Sequence, residues 1–217
     1  MILEKRLTAV LDAYREQDVL AKGTKINDGR IFVPTSLQEA MTLLTIGAKS
    51  GFYPNRGYFL DAGSGDGRMV ALLSCLGYKA IGVEFDLELA VYSQGKLEQL
   101  KRQGAITADA KIAKGDFTDA GTYQKMGVDF QDIRNIFHGI NLVSLRGLVE
   151  KIKNESPSGT TLTLYGPFGM FPEFEGLAKV SGPHRLGYVA DVAYYQKCRV
   201  MNGRRLETAA QQVTAVR

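Results

Sequence analysis

The chain predicts an α/β fold with a mostly parallel sheet, and three observations carry that expectation. Apolar runs end in a carboxylate three times in order: Tyr58-Phe59-Leu60-Asp61, Ala80-Ile81-Gly82-Val83-Glu84, and Ala110-Lys111-Ile112-Ala113-Lys114-Gly115-Asp116. Between them, residues 67–75 and 86–100 carry apolar side chains at helical spacing. Glycines fall at alternate positions after the first run, at Gly63, Gly65 and Gly67, the mark of a tight turn passing close under a ligand. A strand–helix–strand–helix–strand order closes by right-handed crossovers into parallel pairing, and ligands of such sheets lie at the carboxyl ends of the strands. Asp61, Glu84 and Asp116 all stand at such ends.

Taken in order, Leu3, Leu7, Val10, Leu11 and Tyr14 recur at steps of three and four among charged residues, which predicts an amphipathic helix. Packing on the sheet explains it better than a lid or a dimer contact. Residues 22–30 are turn-rich and read as a loop leading into Val33-Pro34. Thr35 or Ser36 can cap the next helix, with Gln38 or Glu39 completing a capping box, and Pro34 gives it a rigid start. Local chemistry alone makes Pro34-Thr35 a structural turn. Residues 118–127 read as a polar loop with a short helix, and 133–141 as the fourth strand and the turn beyond it. A helix over 142–152 is broken by Ser156-Pro157-Ser158-Gly159 before the β-branched strand 160–165. The aromatic loop 166–172 either walls an acceptor pocket or covers the edge of the core. Residues 184–200 are rich in strand formers and supply the closing strands, with an antiparallel final edge. Tyr194 and Tyr195 are read there as core and surface partners without a catalytic role.

The glycine turn narrows the ligand. A phosphate-gripping Walker loop needs Gly-Lys-Ser/Thr, but Gly67 is followed by Arg68-Met69. The dinucleotide fingerprint needs a glycine three places after the second, where Arg68 stands, so a nicotinamide or flavin dinucleotide is disfavoured. Glu84 is placed to accept from a ribose diol. Asp116 can accept from an adenine amino group while Phe117 covers the ring. Each carboxylate alone could equally cap a helix. Their common placement at strand ends favours one ligand held by all three.

With 217 residues, 45% of them hydrophobic, the chain is long enough for one domain with a sizeable core. The net charge of +4 and pI near 9.0 are mildly basic, and scattered Lys and Arg fit solvated faces as well as a nucleic-acid footprint. Cys75 and Cys198 have neither metal-like nor disulfide-like spacing, which predicts buried reduced thiols and a cytoplasmic protein without a metal. No apolar run approaches the roughly 18 residues of a membrane span, so no membrane partner is expected.

The chain resembles the class I S-adenosylmethionine-dependent methyltransferases. The resemblance rests on Asp61-Ala62-Gly63-Ser64-Gly65-Asp66-Gly67, on Glu84 after the second strand, and on Gly115-Asp116-Phe117 after the third. A narrower likeness, from Ile31-Phe32-Val33-Pro34-Thr35-Ser36-Leu37 with Asp66-Gly67-Arg68 and Gly82-Val83-Glu84, is to the small non-SET protein lysine methyltransferases of archaea and their relatives. It covers about residues 31–117. It implies a Rossmann-like, mostly parallel seven-stranded sheet with an antiparallel edge strand and helices on both faces. An N-terminal helix and loop over 1–30 would precede a methyltransferase domain over 31–217. S-adenosyl-L-methionine is the implied cofactor, held by Pro34, Thr35, Asp61, Gly63, Ser64, Gly65, Asp66, Gly67, Glu84, Phe85, Asp116 and Phe117. The Val-Pro-Thr segment would close over its methionine end.

In this fold the residues after the fourth strand face the transferred methyl, which makes His138 and Asn141 the catalytic candidates. A lone His is more often a structural side chain than a base. The Asn/Asp-Pro-Pro-aromatic motif of enzymes that methylate amino groups of nucleic acids and glutamine is absent, as is the Pro-Cys of cytosine C5 methylation. The resemblance implies a protein acceptor, methylated on lysine by in-line transfer. A small molecule or RNA is the alternative acceptor, and a non-catalytic cofactor-binding subunit the alternative of another class. Nothing in the sequence fixes an oligomeric state.

Overall fold

A computed structural model of the chain describes residues 2–20, 24–25, 31–32, 34–139, 142–167, 171–186, 190–201 and 204–206. Seven strands form one mixed sheet, and two short hairpins stand apart from it. The chain divides into two compact units, Met1–Met41 with Tyr58–Val128, and Thr42–Gly57 with Asp129–Arg217.

The first unit begins with helix α1, Ile2–Leu20. Val10 and Tyr14 of its apolar stripe are fully buried, whereas Leu3 and Leu11 are exposed. Arg6 donates from Nε to the Ala105 carbonyl at 2.9 Å, and Lys96 Nζ donates to the Ala13 carbonyl at 3.1 Å. The helix is thus fastened to the sheet unit, as an amphipathic stripe requires. Where the sequence suggests only a loop, strands β1 (Thr24–Lys25) and β2 (Ile31–Phe32) pair antiparallel. Arms of two residues are too short to show alternation. Helix α2, Leu37–Lys49, starts as its cap predicts, with the Glu39 amide 3.5 Å from Ser36 Oγ.

Strand β3 (Tyr58–Ala62), helix α3 (Arg68–Cys75), strand β4 (Lys79–Glu84), helix α4 (Leu87–Arg102), strand β5 (Lys111–Lys114) and helix α5 (Ala120–Met126) follow in the predicted order. β3 pairs parallel with β4, and β4 with β5. Every residue of α3 is buried, so this short helix lies inside the unit. In α4 the buried face is Ala90, Ser93, Leu97 and Leu100, while Leu87 and Val91, which the sequence pattern places on the apolar face, are 61% and 60% exposed. The smaller side chains Ala90 and Ser93 take the inner face. β5 is an edge strand blunted by exposed Lys111 and Lys114 at its ends, and Gln94 Nε2 donates to the Ile112 carbonyl at 3.0 Å.

The second unit holds strand β6 (Ile133–Gly139), helix α6 (Leu142–Glu155), and strands β7 (Thr161–Pro167), β8 (Leu177–Arg185) and β9 (Ala190–Lys197). β6 pairs parallel with β7, and β9 runs antiparallel to both β7 and β8. The order across the sheet is β5-β4-β3-β6-β7-β9-β8, so antiparallel pairing is confined to the end where β8 is the edge. β8 begins well before the strand-forming run seen in the sequence. Its half-exposed pattern and Gly182-Pro183 hide it, as suits an edge strand. A hairpin of β10 (Arg199–Met201) and β11 (Arg204–Leu206) follows. Tyr194 is buried as predicted; Tyr195, expected as its surface counterpart, is buried too, its hydroxyl donating to the Pro172 carbonyl at 3.0 Å. Among the described residues no helix is long and apolar enough to cross a membrane, and Cys75 and Cys198 are both buried and outside any disulfide.

Candidate functional site

The turn after β3 is built by its glycines. Gly63, Gly65 and Gly67 have φ of 87°, 51° and 81°. The amides of Gly63 and Ser64 donate to the Val83 carbonyl at 2.9 and 3.0 Å, and the Gly67 amide closes on the Ser64 carbonyl at 2.9 Å. At Gly67 a Cβ would come within 2.8 Å of Ile112 Cδ1, so both backbone conformation and space demand glycine. Over Gly63 the position of a Cβ is open, with no atom within 4 Å. Ser64 lies so close to β4 that a Cβ on Gly82 would meet its side chain at 2.7 Å. Its own Oγ is buried without a hydrogen-bond partner among the described residues.

Three carboxylates stand around this turn. Asp61, at the end of β3, is 2% exposed. Burial, then Glu84, then Asp66 push its pKa well above the ordinary carboxylate value, and no hydrogen bond from a described residue opposes them. Glu84, at the end of β4, accepts from the Gly65 amide through Oε2 at 2.7 Å and from the Asp86 amide through Oε1 at 2.8 Å. It therefore pins the glycine turn, and its remaining lone pairs are what a ribose diol would use. Asp66 is turned to Arg68, whose Nε lies 3.1 Å from Oδ1 and 3.0 Å from Oδ2, with Nη2 2.7 Å from Oδ2. Both side chains are almost wholly buried.

The rest of the predicted constellation is distributed. Phe85 is 55% exposed, with Lys114 Nζ 5.4 Å from its ring centre. Asp116 is exposed, and its Oδ1 accepts from the amide and hydroxyl of Thr118, both at 2.7 Å. The half-buried Phe117 follows it. The Gly115 amide donates to the Glu84 carbonyl at 2.9 Å, which joins this third strand end to the second. Pro34 and Thr35 are half-buried, and the Thr35 carbonyl accepts from Arg68 Nη1 at 3.2 Å. His138 is buried in β6 of the second unit. Asn141, Val33 and residues 168–170 of the aromatic loop lie outside the described residues. Among the described residues no group of His, Cys, Asp or Glu is arranged to hold a metal.

Two participants escape the sequence reading. Arg68 belongs to the glycine motif but gives no sign that it reaches back to Thr35. Tyr14 looks like one more apolar residue on the stripe of α1, yet its ring lies 5.6 Å from the Arg68 guanidinium carbon.

Neither a protein-family model nor a curated protein sequence matches this chain. Solved structures do match its fold. An RNA methyltransferase from Salinibacter ruber in complex with S-adenosyl-L-homocysteine superposes with a TM-score of 0.57 at 18% identity, over 81% of this chain and 100% of that one. A mutant of MtNAS in complex with S-adenosylmethionine gives a TM-score of 0.57 at 16% identity, over 91% of this chain and 72% of its own. A TehB-like SAM-dependent methyltransferase from Corynebacterium glutamicum gives 0.50 at 17%, over 88% and 98%. Together with the strand order these likenesses define the fold as the Rossmann-like class I methyltransferase fold.

Proposed function

We propose that the chain is an S-adenosylmethionine-dependent methyltransferase that binds its cofactor at the turn after β3 and methylates a protein lysine. The observation that carries the first half is Asp61. A carboxylate 2% exposed, without a donor among the described residues and beside two further carboxylates, calls for a cation. The open position over Gly63, two residues on, gives a ligand room to approach the backbone. S-adenosylmethionine carries both a sulfonium and an ammonium group, and when bound it supplies an electrophilic methyl. Glu84 would hold the ribose while it keeps the Gly65 amide, and Asp116 with Phe117 would take the adenine. Asp61 would balance the cationic end.

The lysine reading rests on the likeness of Val33-Pro34-Thr35 and Gly65-Asp66-Gly67-Arg68 to the small non-SET lysine methyltransferases. The hydrogen bond from Arg68 to the Thr35 carbonyl supports treating the two segments as one device. A lysine must react as the neutral amine, so the site has to desolvate it or take its proton. His138, buried in β6, and Asn141 are the residues assigned to the acceptor side. Transfer is in line, with alignment of the reactants supplying much of the rate.

The test is calorimetric titration of S-adenosylmethionine and S-adenosylhomocysteine, followed by a labelled-methyl assay on cell extract. Micromolar binding with label on lysine in a protein band is expected. Label in RNA or in small molecules would overturn the lysine acceptor and keep methyl transfer. Binding without label anywhere would leave a cofactor-binding subunit. Failure of the protein to bind either compound would overturn the whole reading.

A further inference from the structure

The N-terminal helix reads as packing, and Asp66 as a cofactor contact. The described geometry joins them in a different way. Arg68 is 3% exposed and sits at the first position of α3, directly after the glycine turn. Both oxygens of Asp66 are engaged by Arg68, Oδ1 also by its backbone amide at 3.2 Å. On its other side the guanidinium reaches Thr35, immediately before Ser36, whose Oγ and carbonyl serve the first turn of α2. The Tyr14 ring from α1 lies 5.6 Å from the guanidinium carbon. Tyr14 is fully buried, and its hydroxyl has no hydrogen-bond partner among the described residues. What Tyr14 offers Arg68 is therefore its ring face, in a desolvated setting where a cation–π contact is at its strongest.

We propose that Tyr14, Arg68 and Asp66 form a positioning clamp that fixes the Pro34-Thr35 segment against the glycine turn, so that α1 is part of the cofactor site without touching the cofactor. The inference rests on the cofactor reading above. Arg68 is suited to the task because a planar guanidinium can meet a carboxylate, a carbonyl and a ring face at once, which a lysine ammonium cannot. Asp66 then acts through Arg68, and the buried charge of each is compensated by the other.

The experiment compares Tyr14→Phe, Tyr14→Leu and Arg68→Lys by two readouts. One is hydrogen exchange of the amides at residues 35–40 without cofactor, and the other is affinity for S-adenosylhomocysteine. Phe keeps the ring face, so Tyr14→Phe should match wild type in both. Tyr14→Leu and Arg68→Lys should each speed exchange at residues 35–40 and weaken binding by about five- to tenfold, the scale of a desolvated cation–π contact. The double variant should be no worse than the poorer single one, because both remove the same clamp. Unchanged exchange and affinity in Tyr14→Leu would overturn the proposal, even if that variant melts earlier. Loss of affinity in Tyr14→Phe would overturn it too, by placing the hydroxyl on the cofactor. If wild type binds no cofactor, the function reading fails, while the exchange pattern still decides whether the clamp exists.

Discussion

Within residues 61–84 of the first unit, Asp61, Asp66, Arg68 and Glu84 are all buried charged groups, set at two strand ends, in a turn and at a helix start. In the second unit several buried hydroxyls tie the interior, alongside the buried charges of Lys151 and Asp191. Tyr53 and Thr163 pair at 2.9 Å, Thr161 donates to the Phe52 carbonyl at 2.8 Å, and Tyr194 to the Leu43 carbonyl at 2.6 Å. Buried charges cost more to hold than buried hydroxyls. Holding four of them in one short stretch therefore carries a cost that the hydroxyl pairs do not.

The sharpest way to break this contrast is to remove the buried cation of that stretch, Arg68. Arg68→Met leaves Asp66 buried and uncompensated beside Asp61 and Glu84, and should lower unfolding stability by about 3–5 kcal/mol in urea denaturation. A loss under about 1 kcal/mol would mean that the pair is far more hydrated than its burial indicates.

Asp61→Asn should do the opposite to stability and still damage function. With its folded pKa raised, Asp61 binds more proton in the folded than in the unfolded state between the two pKa values, so wild-type stability falls as pH climbs through that interval. Asparagine removes this slope. The variant should melt about 2–4 °C above wild type at pH 8, with the gap closing as pH drops toward the ordinary carboxylate range. Its affinity for S-adenosylmethionine should fall roughly thirtyfold, about 2 kcal/mol, and that for the uncharged-sulfur product by less. Equal losses for both compounds would show that Asp61 does not sense the sulfonium.

The same contrast explains what was legible in the sequence. The glycine turn could be read because part of its cause is local: Gly67 turns at a φ of 81° between Asp66 and Arg68, whereas the crowding that also excludes a Cβ comes from Ser93 and Ile112, far along the chain. Glu84 could be placed because it follows a strand, although its grip on the Gly65 amide spans 19 residues and leaves no trace in either segment. Tyr14 could not be read, since a tyrosine on an apolar stripe looks the same whether it meets a leucine or a guanidinium. In the second unit helix α6 and strand β7 could be read from the sequence, but the Tyr194–Leu43 bond joins positions 151 apart and the half-exposed alternation of β8 is weak, so neither the contact nor that edge could be seen. The proposed acceptor residues His138 and Asn141 could be named only from the resemblance, since no local turn motif singles them out.

Tyr194→Phe sharpens the comparison from the other unit. It removes the donor to the Leu43 carbonyl and leaves that carbonyl buried, which should lower stability by about 1–2 kcal/mol. Affinity for S-adenosylhomocysteine, titrated well below the melting point, should stay within error of wild type. A matching loss of affinity would show that hydroxyl packing in the second unit bears on cofactor binding as well.

The smallest expected effect tests whether the glycines of the first unit are all of one kind. Gly95 lies in the middle of α4, has an ordinary helical φ, and a Cβ built on it meets nothing within 4 Å. Neither the turn geometry of Gly67 nor the crowding at Gly82 applies to it. Gly95→Ala should therefore raise stability by about 0.5–1 kcal/mol, by restricting the unfolded chain and improving helix propensity, with cofactor affinity unchanged. Gly67→Ala, made alongside it, should lose stability, because its Cβ would press on Ile112 at 2.8 Å with φ at 81°. Opposite signs at the two sites would tie the glycine requirement to the turn after β3 itself. A destabilising Gly95→Ala would instead mean that the open face of α4 is covered in solution, and the exposed Leu87 and Val91 beside it on the same helix would be the first place to look.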